Sequence, residues 1–515
     1  MRCYERESGA LDGSFKYEQP TMSDPHFDIV IVGAGLAGVG TACRIAQEFP
    51  GKSMALLERR GSLGGTWDLF RYPGIRSDSD MYSYGYALRP WQSPIVLGDG
   101  STIRNYIADA AREFGVDGKI HCGVKIVSAD WSSANQRWTL RAVNEGSGES
   151  SCYSCRFLIA CTGYYDQDAG FRPSFPGEAR FKGLRIHPQQ WPAHLDYAGK
   201  KVVVIGSGAT AITLIPAMAD KAAHITMLQR SPSYVVSLPG VYALSAMLGR
   251  LLPKPLVYRF ARKRFTWLQR GFYLACKRWP KLMRSIVLSQ VRRHVGKDFD
   301  MKHFTPHYMP WDQRVCVVPD ADLFETLKSG KASVVTDHIE TFTESGIRLK
   351  SGQELDVDII ITATGLNIQM LGGLALSVDG VPKHLHNQMT YKGVLVQDVP
   401  NLGCIFGYAN APWTLKVELA ATYLCRLLKH MDANGRGVAT PHDVDDCRSD
   451  ESILGSLSSG YVQRGDTMLP RQGLRYPWRV MHHLGQDTAM LLKHPIEDAW
   501  LRFSTAVEVA QAESS

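Results

Sequence analysis

Four short apolar segments of the chain each run directly into a turn that contains glycine. Residues 27–32 and 202–205 are followed by two glycines with one residue between them, and residues 157–160 and 357–361 are followed closely by Thr-Gly. Continuous apolar runs of this length are typical of parallel strands that are buried on both faces. The pattern predicts an α/β fold with two dinucleotide-binding units, each built around a parallel sheet.

The first glycine turn has the spacing of a dinucleotide-binding motif. Gly33, Gly35 and Gly38 follow the first strand, and a second predicted strand ends at Glu58, twenty residues after Gly38. Glycine permits the tight turn and the approach of a pyrophosphate to the helix N-terminus, and an acid at Glu58 can accept a ribose hydroxyl. Because a second motif comes later, we assign FAD to this one. The alternative is a glycine turn in an α/β fold that binds no cofactor.

The second glycine turn follows the strand at residues 202–205. Arg230 and Ser231 follow the next predicted strand, where an NAD enzyme would carry an acid and where an arginine can accept the 2'-phosphate of NADP. We therefore predict NADPH as the second cofactor, the alternative being an arginine that only contacts solvent. The residues predicted to bind it in the turn are Gly206, Ser207, Gly208, Ala209 and Thr210.

A connector without helical or strand periodicity precedes the second turn. It reads F-x-G-x-x-x-H-x-x-x-W-P, with Phe181, Gly183, His187, Trp191 and Pro192 at the fixed positions. This pattern closely resembles the fingerprint of the Baeyer-Villiger monooxygenases, flavoenzymes that insert an oxygen atom beside a ketone carbonyl. The resemblance implies two interrupted dinucleotide-binding domains.

Residues 64–78 are dense in glycine, proline and aromatic residues, which predicts an irregular loop packed around a ligand. The loop resembles a second signature of the same family, and its continuation resembles the branch that contains the ethionamide-activating monooxygenases. Arg76 and Asp80 can equally be solvated surface charges. The resemblance implies cofactor contacts from Gly65, Thr66, Trp67, Asp78 and Tyr82.

Three later segments extend the resemblance. Arg314 corresponds to the arginine that the family places beside the flavin, and Asp78 would orient it; the alternative for Arg314 is an ion pair with Asp312. Gln313 departs from the pattern, because the family usually has a lysine there, but we keep it among the cofactor-binding residues. The other implied cofactor contacts are Ala363, Thr364, Gly365 and Asn410.

Length and composition fit this organisation. The 515 residues are 44% hydrophobic and 21% charged, as in an ordinary globular protein of two or three domains. We expect a disordered tail at 1–24, an FAD domain from 25–170 and 370–515, the second part including a C-terminal cover, and an NADP domain at 171–369. No long apolar run and no signal-peptide core is present, which predicts a cytoplasmic protein.

The eleven cysteines are scattered and odd in number, which favours reduced thiols over a disulfide framework. Cys152 and Cys155 form a C-x-x-C pair in a region that is predicted to be a Ser/Gly-rich hairpin, where a redox function is disfavoured. His303 and His307 are separated by Pro306, so one helix face cannot present both. We predict no metal site.

Residues 250–300 differ from the rest of the chain in charge. They contain fourteen basic residues against Asp298 and Asp300, a net charge of +12 in a chain whose total is +8. Apolar residues occur between the cations at roughly helical spacing, which predicts a helical insertion at about 240–302 with one apolar and one cationic face. The alternatives are a solvated lobe or peripheral contact with an anionic membrane. No nucleic-acid-binding motif accompanies the charge.

The resemblance implies a monooxygenase that uses FAD, NADPH and O2 to convert ketones to esters or lactones through a C4a-peroxyflavin, with sulfoxidation of thioethers as a related reaction. One alternative is a sulfur- or nitrogen-oxygenating flavin monooxygenase of related fold. A flavin disulfide reductase that uses Cys152 and Cys155 and a non-catalytic, lipid-bound redox partner are the others.

Overall fold

The computed structural model describes residues 24–248, 251–455 and 459–505. The tail predicted for residues 1–24 lies outside the described residues, except for Asp24. Within the described residues, none of the helices combines the length and the apolar character that crossing a membrane would require.

The strands are numbered in chain order. They are β1 (His26–Val32), β2 (Met54–Glu58), β3 (Ile120–Cys122), β4 (Val124–Ser132), β5 (Arg137–Asn144), β6 (Ser150–Ala160), β7 (Tyr165–Gly170), β8 (Leu184–Ile186), β9 (Lys201–Ile205), β10 (His224–Gln229), β11 (Val235–Leu238), β12 (Cys316–Pro319), β13 (Ala332–Thr336), β14 (Ile339–Phe342), β15 (Gly346–Leu349), β16 (Glu354–Asp356), β17 (Ile359–Thr362), β18 (Leu366–Ile368), β19 (Ala375–Val378), β20 (Val381–Pro382), β21 (Thr390–Tyr391), β22 (Leu395–Val396), β23 (Leu402–Cys404), β24 (Val438–Pro441), β25 (Arg448–Ser452), β26 (Arg471–Gly473) and β27 (Leu501–Ser504).

The α-helices are numbered in the same way. They are α1 (Leu36–Glu48), α2 (Thr66–Leu69), α3 (Met81–Tyr84), α4 (Gly100–Glu113), α5 (Ala209–Met218), α6 (Ala243–Leu248), α7 (Lys254–Arg278), α8 (Pro280–Val295), α9 (Asp322–Lys328), α10 (Trp413–Ala433), α11 (Gly460–Gly465) and α12 (Leu484–Thr488).

The larger sheet has parallel strands β6, β1, β2 and β3 at its centre and one end, and antiparallel strands β4 and β5 beyond β6. β1 is buried on both faces, as its apolar run predicts. Ile29 and Ile31 pack with α1, α4 and α10, whereas Val30 and Val32 pack on the opposite face with the side chains of β4 and β5. Alternation along a strand therefore places two separate hydrophobic cores on either side of β1.

The smaller sheet is entirely parallel, in the order β13, β10, β9, β17 and β8. Val202 and Val204 face a core that includes α5 and α9, and Val203 and Ile205 face a second core beneath β14 and β15. The α/β fold with two dinucleotide-binding units is thus confirmed. The division of the sequence between an FAD and an NADP domain stays a prediction.

Two antiparallel strands carry the chain between the sheets. β7 follows the last residues of β6 and leads toward the smaller sheet, and β18 returns from it, with Gly170 opposite Leu366 and Tyr165 opposite Ile368. The chain therefore leaves the larger sheet once and re-enters it once, at neighbouring points in space.

The insertion is helical, as the sequence predicted, and consists of α6, α7 and α8. The inner face of α7 is fixed to the rest of the protein by polar contacts. Arg262 donates to the carbonyl oxygen of Gly85 at 2.6 Å and pairs with Glu418 of α10, also at 2.6 Å. Gln269 donates to the carboxylate of Asp80 at 2.5 Å. The insertion thus packs directly on the loop that precedes α4.

Several local predictions were wrong in detail. The loop at residues 64–78 contains the single helical turn α2, and the connector at residues 181–192 contains the edge strand β8, whose exposed Leu184 and Arg185 hide the strand periodicity. The predicted strand at residues 357–361 begins instead at Ile359, because the Val357 amide donates to Ser345 O of the adjacent hairpin.

We expect Arg262→Ala to destabilise the protein by about 3 kcal/mol, because it leaves the Glu418 carboxylate buried without its cation. Both side chains are mostly buried, with 14% and 19% of their areas exposed. Urea unfolding of the FAD-loaded enzyme measures the difference. Lys201→Ala is the matched control, since it removes an exposed ion pair with Asp356, and should unfold like the parent. An equal effect of the two substitutions would contradict the role of Arg262.

Candidate functional site

The first glycine turn brings the N-terminus of α1 against the end of β6. Gly33 has φ of +99°, and a Cβ atom there would lie 2.8 Å from the carbonyl oxygen of Cys161. A Cβ atom on Gly38 would lie 1.9 Å from Gly33 O. These contacts explain the first and third glycines as requirements of the turn itself. Helix α1 begins directly after this turn, and its N-cap residue Gly35 has no side-chain cap, so the N-terminal amides are available to an anion.

The middle glycine of this turn touches the second glycine-rich loop. A Cβ atom on Gly35 would lie 3.3 Å from the Cα of Gly65, whose own φ is +56°. Gly64 N donates to Ala34 O at 3.0 Å. The two loops that the sequence singled out separately therefore form one surface.

Glu58 is oriented toward the first turn by main-chain donors. Its carboxylate accepts from Ala34 N at 2.7 Å and from Arg60 N at 2.9 Å, and only 3% of the residue is exposed. Burial raises the pKa of this carboxyl group, while the two amides oppose the shift. The geometry is compatible with the predicted ribose contact.

The second glycine turn is similar in build but more open. Gly206 has φ of +139°, and its Cβ would lie 2.3 Å from Ala363 O, so the end of β17 closes on the turn. Apart from the two residues adjacent to Gly208 in the chain, no atom of the described residues lies within 4 Å of a Cβ built on it. That open space, at the N-terminus of α5, is where a pyrophosphate would lie.

The predicted 2'-phosphate site lies beside this turn. Ser207 Oγ donates to Ser231 O at 3.0 Å and is also 3.0 Å from Ser233 Oγ. Arg230 follows the last residue of β10 and is exposed, as Ala209 is, and Thr210 is partly buried. Arg230 and the second glycine turn therefore lie together at the carboxyl ends of the neighbouring parallel strands β10 and β9.

Asp80 and Arg76 fix the loop after β2. The sequence alone did not determine the roles of these two residues. Asp80 is not a solvated charge, because it is 1% exposed and caps α3 by accepting from Ser83 N at 2.8 Å. Burial raises its pKa to about 6. Arg76 pairs with Asp322 of α9 at 2.6 Å and so links this loop to the smaller sheet.

Tyr82 packs against the helical insertion. It is 2% exposed, its hydroxyl lies 2.5 Å from Ser245 Oγ, and its ring stacks on Phe265 of α7 at 5.4 Å. Its cofactor contact stays a prediction. The indole nitrogen of Trp67 donates to Tyr84 Oη at 3.0 Å. Thr66, the first residue of α2, is exposed.

Arg314 lies in a cluster of tyrosines near the end of β6. Its Nη2 is 3.5 Å from Tyr164 Oη, which is 2.6 Å from Tyr165 Oη. The Tyr164 oxygen raises the pKa of the Arg314 guanidinium, and Tyr461, Tyr165 and Asp78 contribute in the same direction, against the effect of burial. The side chain is therefore protonated at every accessible pH.

Asp312, the alternative ion-pair partner of Arg314, contacts the helical insertion and its own loop. Asp312 accepts from Lys277 Nζ at 3.2 Å and from Met309 N at 3.1 Å. Asp78 is exposed and contributes to the raised pKa of Arg314, and its predicted role in orienting Arg314 stays a prediction. Gln313, by contrast, is partly buried and lies in an isolated bridge with Pro310.

A small apolar cavity of about 30 Å³ lies near this cluster. Thr162, Gly163 and Phe406 form part of its wall, and Tyr164 stacks on Trp413 at 5.3 Å beside it. Asn410 closes the neighbouring segment by donating to His482 O at 3.1 Å. The cavity and the tyrosine cluster that contains Arg314 thus lie at neighbouring residues after β6.

The fingerprint residues lie over the two crossing strands. His187 is 3% exposed, its Nε2 is 3.2 Å from Gly365 O, and its Nδ1 accepts from Gln189 N at 3.2 Å. Burial lowers the pKa of His187, which keeps the ring neutral in this arrangement. Thr364 Oγ1 donates to Phe171 O at 2.6 Å. These bonds join the outgoing and returning segments of the chain.

The other fingerprint positions support the same junction. Phe181 packs at the edge of Phe342, and a Cβ on Gly183 would lie 2.5 Å from Asp358 O. Trp191 packs against the core of the smaller sheet, whereas Pro192 is exposed. The fingerprint therefore has a structural function between β7, β8 and β18.

Two buried charge clusters were missed by the sequence analysis. Asp68, in the loop beside the first turn, is 2% exposed; burial opposes its ionisation, but Arg60 and Arg71 outweigh that effect and lower its pKa. Lys416, buried on α10, donates to Asp487 at 2.8 Å in the wall of the cavity. The sequence contained one indication of the second cluster, because Lys416 lies on the apolar face of a predicted helix.

The C-x-x-C pair lies within β6, not in a hairpin turn. Residues three apart on a strand point to opposite faces, and Cys155 is completely buried. Burial raises the pKa of its thiol, which suppresses the thiolate that disulfide exchange needs. This geometry argues against a disulfide reductase.

Comparison with known proteins identifies the family. The model of the flavin-binding monooxygenase-like family matches residues 89–402, and that of an NAD(P)-binding Rossmann-like domain matches residues 31–88. The chain belongs to the flavin-binding monooxygenase-like family. The predicted flavin monooxygenase, with FAD and NADP as the cofactors of its relatives, is confirmed at this level.

Two relatives from Mycobacterium tuberculosis cover nearly the whole chain. The FAD-containing monooxygenase MymA is 59% identical over 94% of this chain and 98% of its own length. The FAD-containing monooxygenase EthA is 47% identical over 93% of this chain and 98% of its own length. The second match is to the branch that the loop after β2 resembles.

Solved structures confirm the fold. A steroid monooxygenase bound to NADP has a TM-score of 0.67 at 23% identity, covering 81% of this chain and 88% of that one. Cyclohexanone monooxygenase with bound ε-caprolactone has a TM-score of 0.68 at 19% identity, covering 81% and 90%.

Gly208→Val should raise the KM for NADPH at least about tenfold, equivalent to about 1.4 kcal/mol, because its side chain would occupy the open space at the start of α5. Thermal unfolding should be unchanged, since the described residues leave open space around that position. Steady-state kinetics measure the effect. Gly118→Val, another glycine with open space around its Cβ, is the control. An unchanged KM in Gly208→Val would contradict the assignment of this turn to the nicotinamide cofactor.

Proposed function

We propose that this protein is an NADPH-dependent Baeyer-Villiger monooxygenase that inserts one oxygen atom from O2 into a ketone to give an ester or lactone, and that it also oxidises thioethers. The observation that carries the proposal is the position of Arg314 in the tyrosine cluster beside the end of β6 and near Asp78, with a small apolar cavity at the neighbouring residues Thr162 and Gly163. The names of the relatives MymA and EthA support an FAD-containing monooxygenase.

The first glycine turn fits FAD. The helix N-terminus at Gly35, the oriented carboxylate of Glu58 and the adjoining loop at Gly65 form a continuous surface of the kind that an adenine dinucleotide needs. Bound FAD would supply hydride acceptance from NADPH and activation of O2. The second turn, with Gly208 open and Arg230 nearby, fits NADPH.

Arg314 would stabilise negative charge on the reacting oxygen. Arginine stays protonated in almost any environment, and the surrounding tyrosines favour the charged form further. At about 4 Å and an effective dielectric constant near 20, a unit positive charge is worth roughly 4 kcal/mol, or about three powers of ten in rate. Asp78 would hold the guanidinium in position and moderate its charge.

The cavity would keep water from the reacting atoms. Its apolar wall lowers the local dielectric constant, which strengthens the interaction of Arg314 with any developing charge. Phe406 and Tyr408 line the cavity, and Tyr164 and Trp413 pack against Phe406. Such a surface favours an apolar ketone or thioether over a charged substrate.

The proposal is tested by loading the purified enzyme with FAD, supplying NADPH and O2, and identifying products from a panel of ketones and thioethers. Esters or lactones from ketones support Baeyer-Villiger activity. Sulfoxides or N-oxides without any ester would favour the alternative sulfur- or nitrogen-oxygenating monooxygenase. NADPH oxidation that consumes no O2 would contradict both functions.

Arg314→Ala should bind FAD and oxidise NADPH slowly to hydrogen peroxide, yet lower ester formation by about three powers of ten, because the fixed charge is lost. FAD absorbance checks cofactor binding, and gas chromatography measures the ester. Arg314→Lys, which keeps a positive charge without the planar guanidinium, should recover part of the activity. Ester formation by Arg314→Ala near the parent rate would show that another cation has this role.

Arg230→Ala should raise the KM for NADPH by a factor equivalent to about 1–3 kcal/mol and leave the KM for NADH unchanged, because only NADPH carries the 2'-phosphate. Parallel kinetics with the two cofactors measure the difference. Arg185→Ala, at an exposed position on β8 of the same sheet, is the control. Equal effects on both cofactors would mean that the 2'-phosphate binds elsewhere.

A further inference from the structure

The exposed apolar side chains of this protein are concentrated on the helical insertion. Among the described residues, 22 large apolar side chains are exposed, and 13 of these lie between Val241 and Ile286. Single exposed apolar residues are normal on a protein surface, but such a concentration marks an interaction surface.

The longest helix of the insertion presents one of its sides to solvent as an apolar stripe. Leu256, Phe260, Trp267 and Leu274 are 50%, 51%, 72% and 46% exposed. At 100° per residue these four positions fall within about 40° of one another around α7. The opposite side of the helix carries the buried Tyr258. Helix α7 therefore has one apolar face in the core and a second one without a partner in the described residues.

The stripe continues around the ends of α7. Leu251, in the turn before the helix, is 78% exposed, and Trp279, between α7 and α8, is 55% exposed. Leu282 and Ile286, one helical turn apart on α8, are 58% and 51% exposed. We call Leu251, Leu256, Phe260, Trp267, Leu274, Trp279, Leu282 and Ile286 the apolar ridge.

Cations run beside this ridge. Arg259, Lys263 and Arg270 are exposed and lie about 20–60° to one side of the stripe on α7. Arg262 and Lys277 pair with acids outside the insertion, whereas no salt bridge to Arg259 or Lys263 is found in the described part of the chain. Residues 250–300 carry a net charge of +12, whereas the whole chain carries a net charge of +8. The remainder of the protein is therefore net negative.

We propose that the apolar ridge docks this enzyme on an anionic lipid surface, with the ridge inserted among the acyl chains near the headgroups and the flanking cations on the lipid phosphates. An amphipathic helix with lysine and arginine beside bulky apolar residues is suited to this position. The proposal does not depend on the reaction that the enzyme catalyses.

Charge favours lipid over the other possible occupants. A second copy of the chain would bring one strongly positive ridge against another, which opposes self-association through this face. Nucleic acid would satisfy the cations but leave Trp267 and its apolar neighbours without a suitable environment. An anionic bilayer satisfies both the apolar and the cationic residues.

The inner face of α7 attaches the apolar ridge firmly to the rest of the protein. Arg262 and Gln269 connect the helix to Gly85, Glu418 and Asp80 on the main body of the protein. The ridge is therefore a fixed feature of the surface, and it does not need to unfold from the core in order to dock.

The test is co-sedimentation of the full-length, FAD-loaded enzyme with vesicles of equal parts phosphatidylglycerol and phosphatidylcholine, compared with pure phosphatidylcholine. We expect binding to the anionic vesicles that weakens as salt rises. R259Q/K263Q should weaken this binding about thirtyfold, since each basic residue near the surface contributes a factor of about five. W267S/L274S should weaken it at least tenfold and remove its salt-resistant part.

Matched controls separate the ridge from general effects. Leu474→Ser replaces an apolar side chain that is 66% exposed outside the insertion, and should bind vesicles like the parent. FAD content and NADPH oxidation without vesicles should be unchanged in every variant, because none of these residues lies in the proposed site. The proposal is overturned if the parent enzyme ignores anionic vesicles at low salt, or if Leu474→Ser loses as much binding as W267S/L274S. It is also overturned if analytical ultracentrifugation shows a dimer that W267S/L274S abolishes.

Discussion

The short antiparallel pair of β7 and β18 determines how the two dinucleotide-binding units face each other. β7 leads from the larger sheet to the smaller one, and β18 leads back. His187 fixes the pair, because its Nε2 bonds to Gly365 O and its Nδ1 accepts from Gln189 N. A neutral imidazole can be a donor and an acceptor at once, which lysine or arginine cannot. The fingerprint motif therefore has a positioning role. It fixes the end of β6 relative to the end of β17, and so fixes the two glycine turns relative to each other.

The loop after β2 depends on that relation. It contacts the first turn through Gly65, the smaller sheet through Arg76 and the helical insertion through Asp80. A segment with three separate attachments can orient Asp78 toward Arg314 although the two residues are far apart in sequence. The helices α2 and α3 are only one turn long each, a length at which helix propensity alone gives little stability. Asp80 caps α3, whereas α2 has no side-chain cap, so tertiary contacts stabilise it.

The inner and outer faces of the insertion differ strongly in polarity. Its inner face is bound by a buried arginine with five oxygen partners, among them the hydroxyl of Tyr258 and the carboxylate of Glu418. Its outer face is apolar and cationic. A buried ion pair is costly to desolvate unless its donors are satisfied, and both terminal nitrogens of Arg262 donate to oxygen atoms, three of them main-chain carbonyl oxygens. The position of α7 is thus specific even though much of its surface is solvent-exposed.

The sequence alone determined the fold class, both glycine turns, the family and the helical character of the insertion. These features are local: a buried parallel strand has its apolar run, and a glycine with positive φ or a close carbonyl neighbour must stay glycine whatever surrounds it. Tertiary structure alone decided the roles of Asp80, Tyr82 and Arg76, because a charged or aromatic residue in a loop carries no periodic signal about its partner. It also decided that β8 is a strand, that Cys152 and Cys155 face apart, and that Lys416 pairs with Asp487. Each of these outcomes depends on a segment many residues away, which spacing along the chain cannot specify.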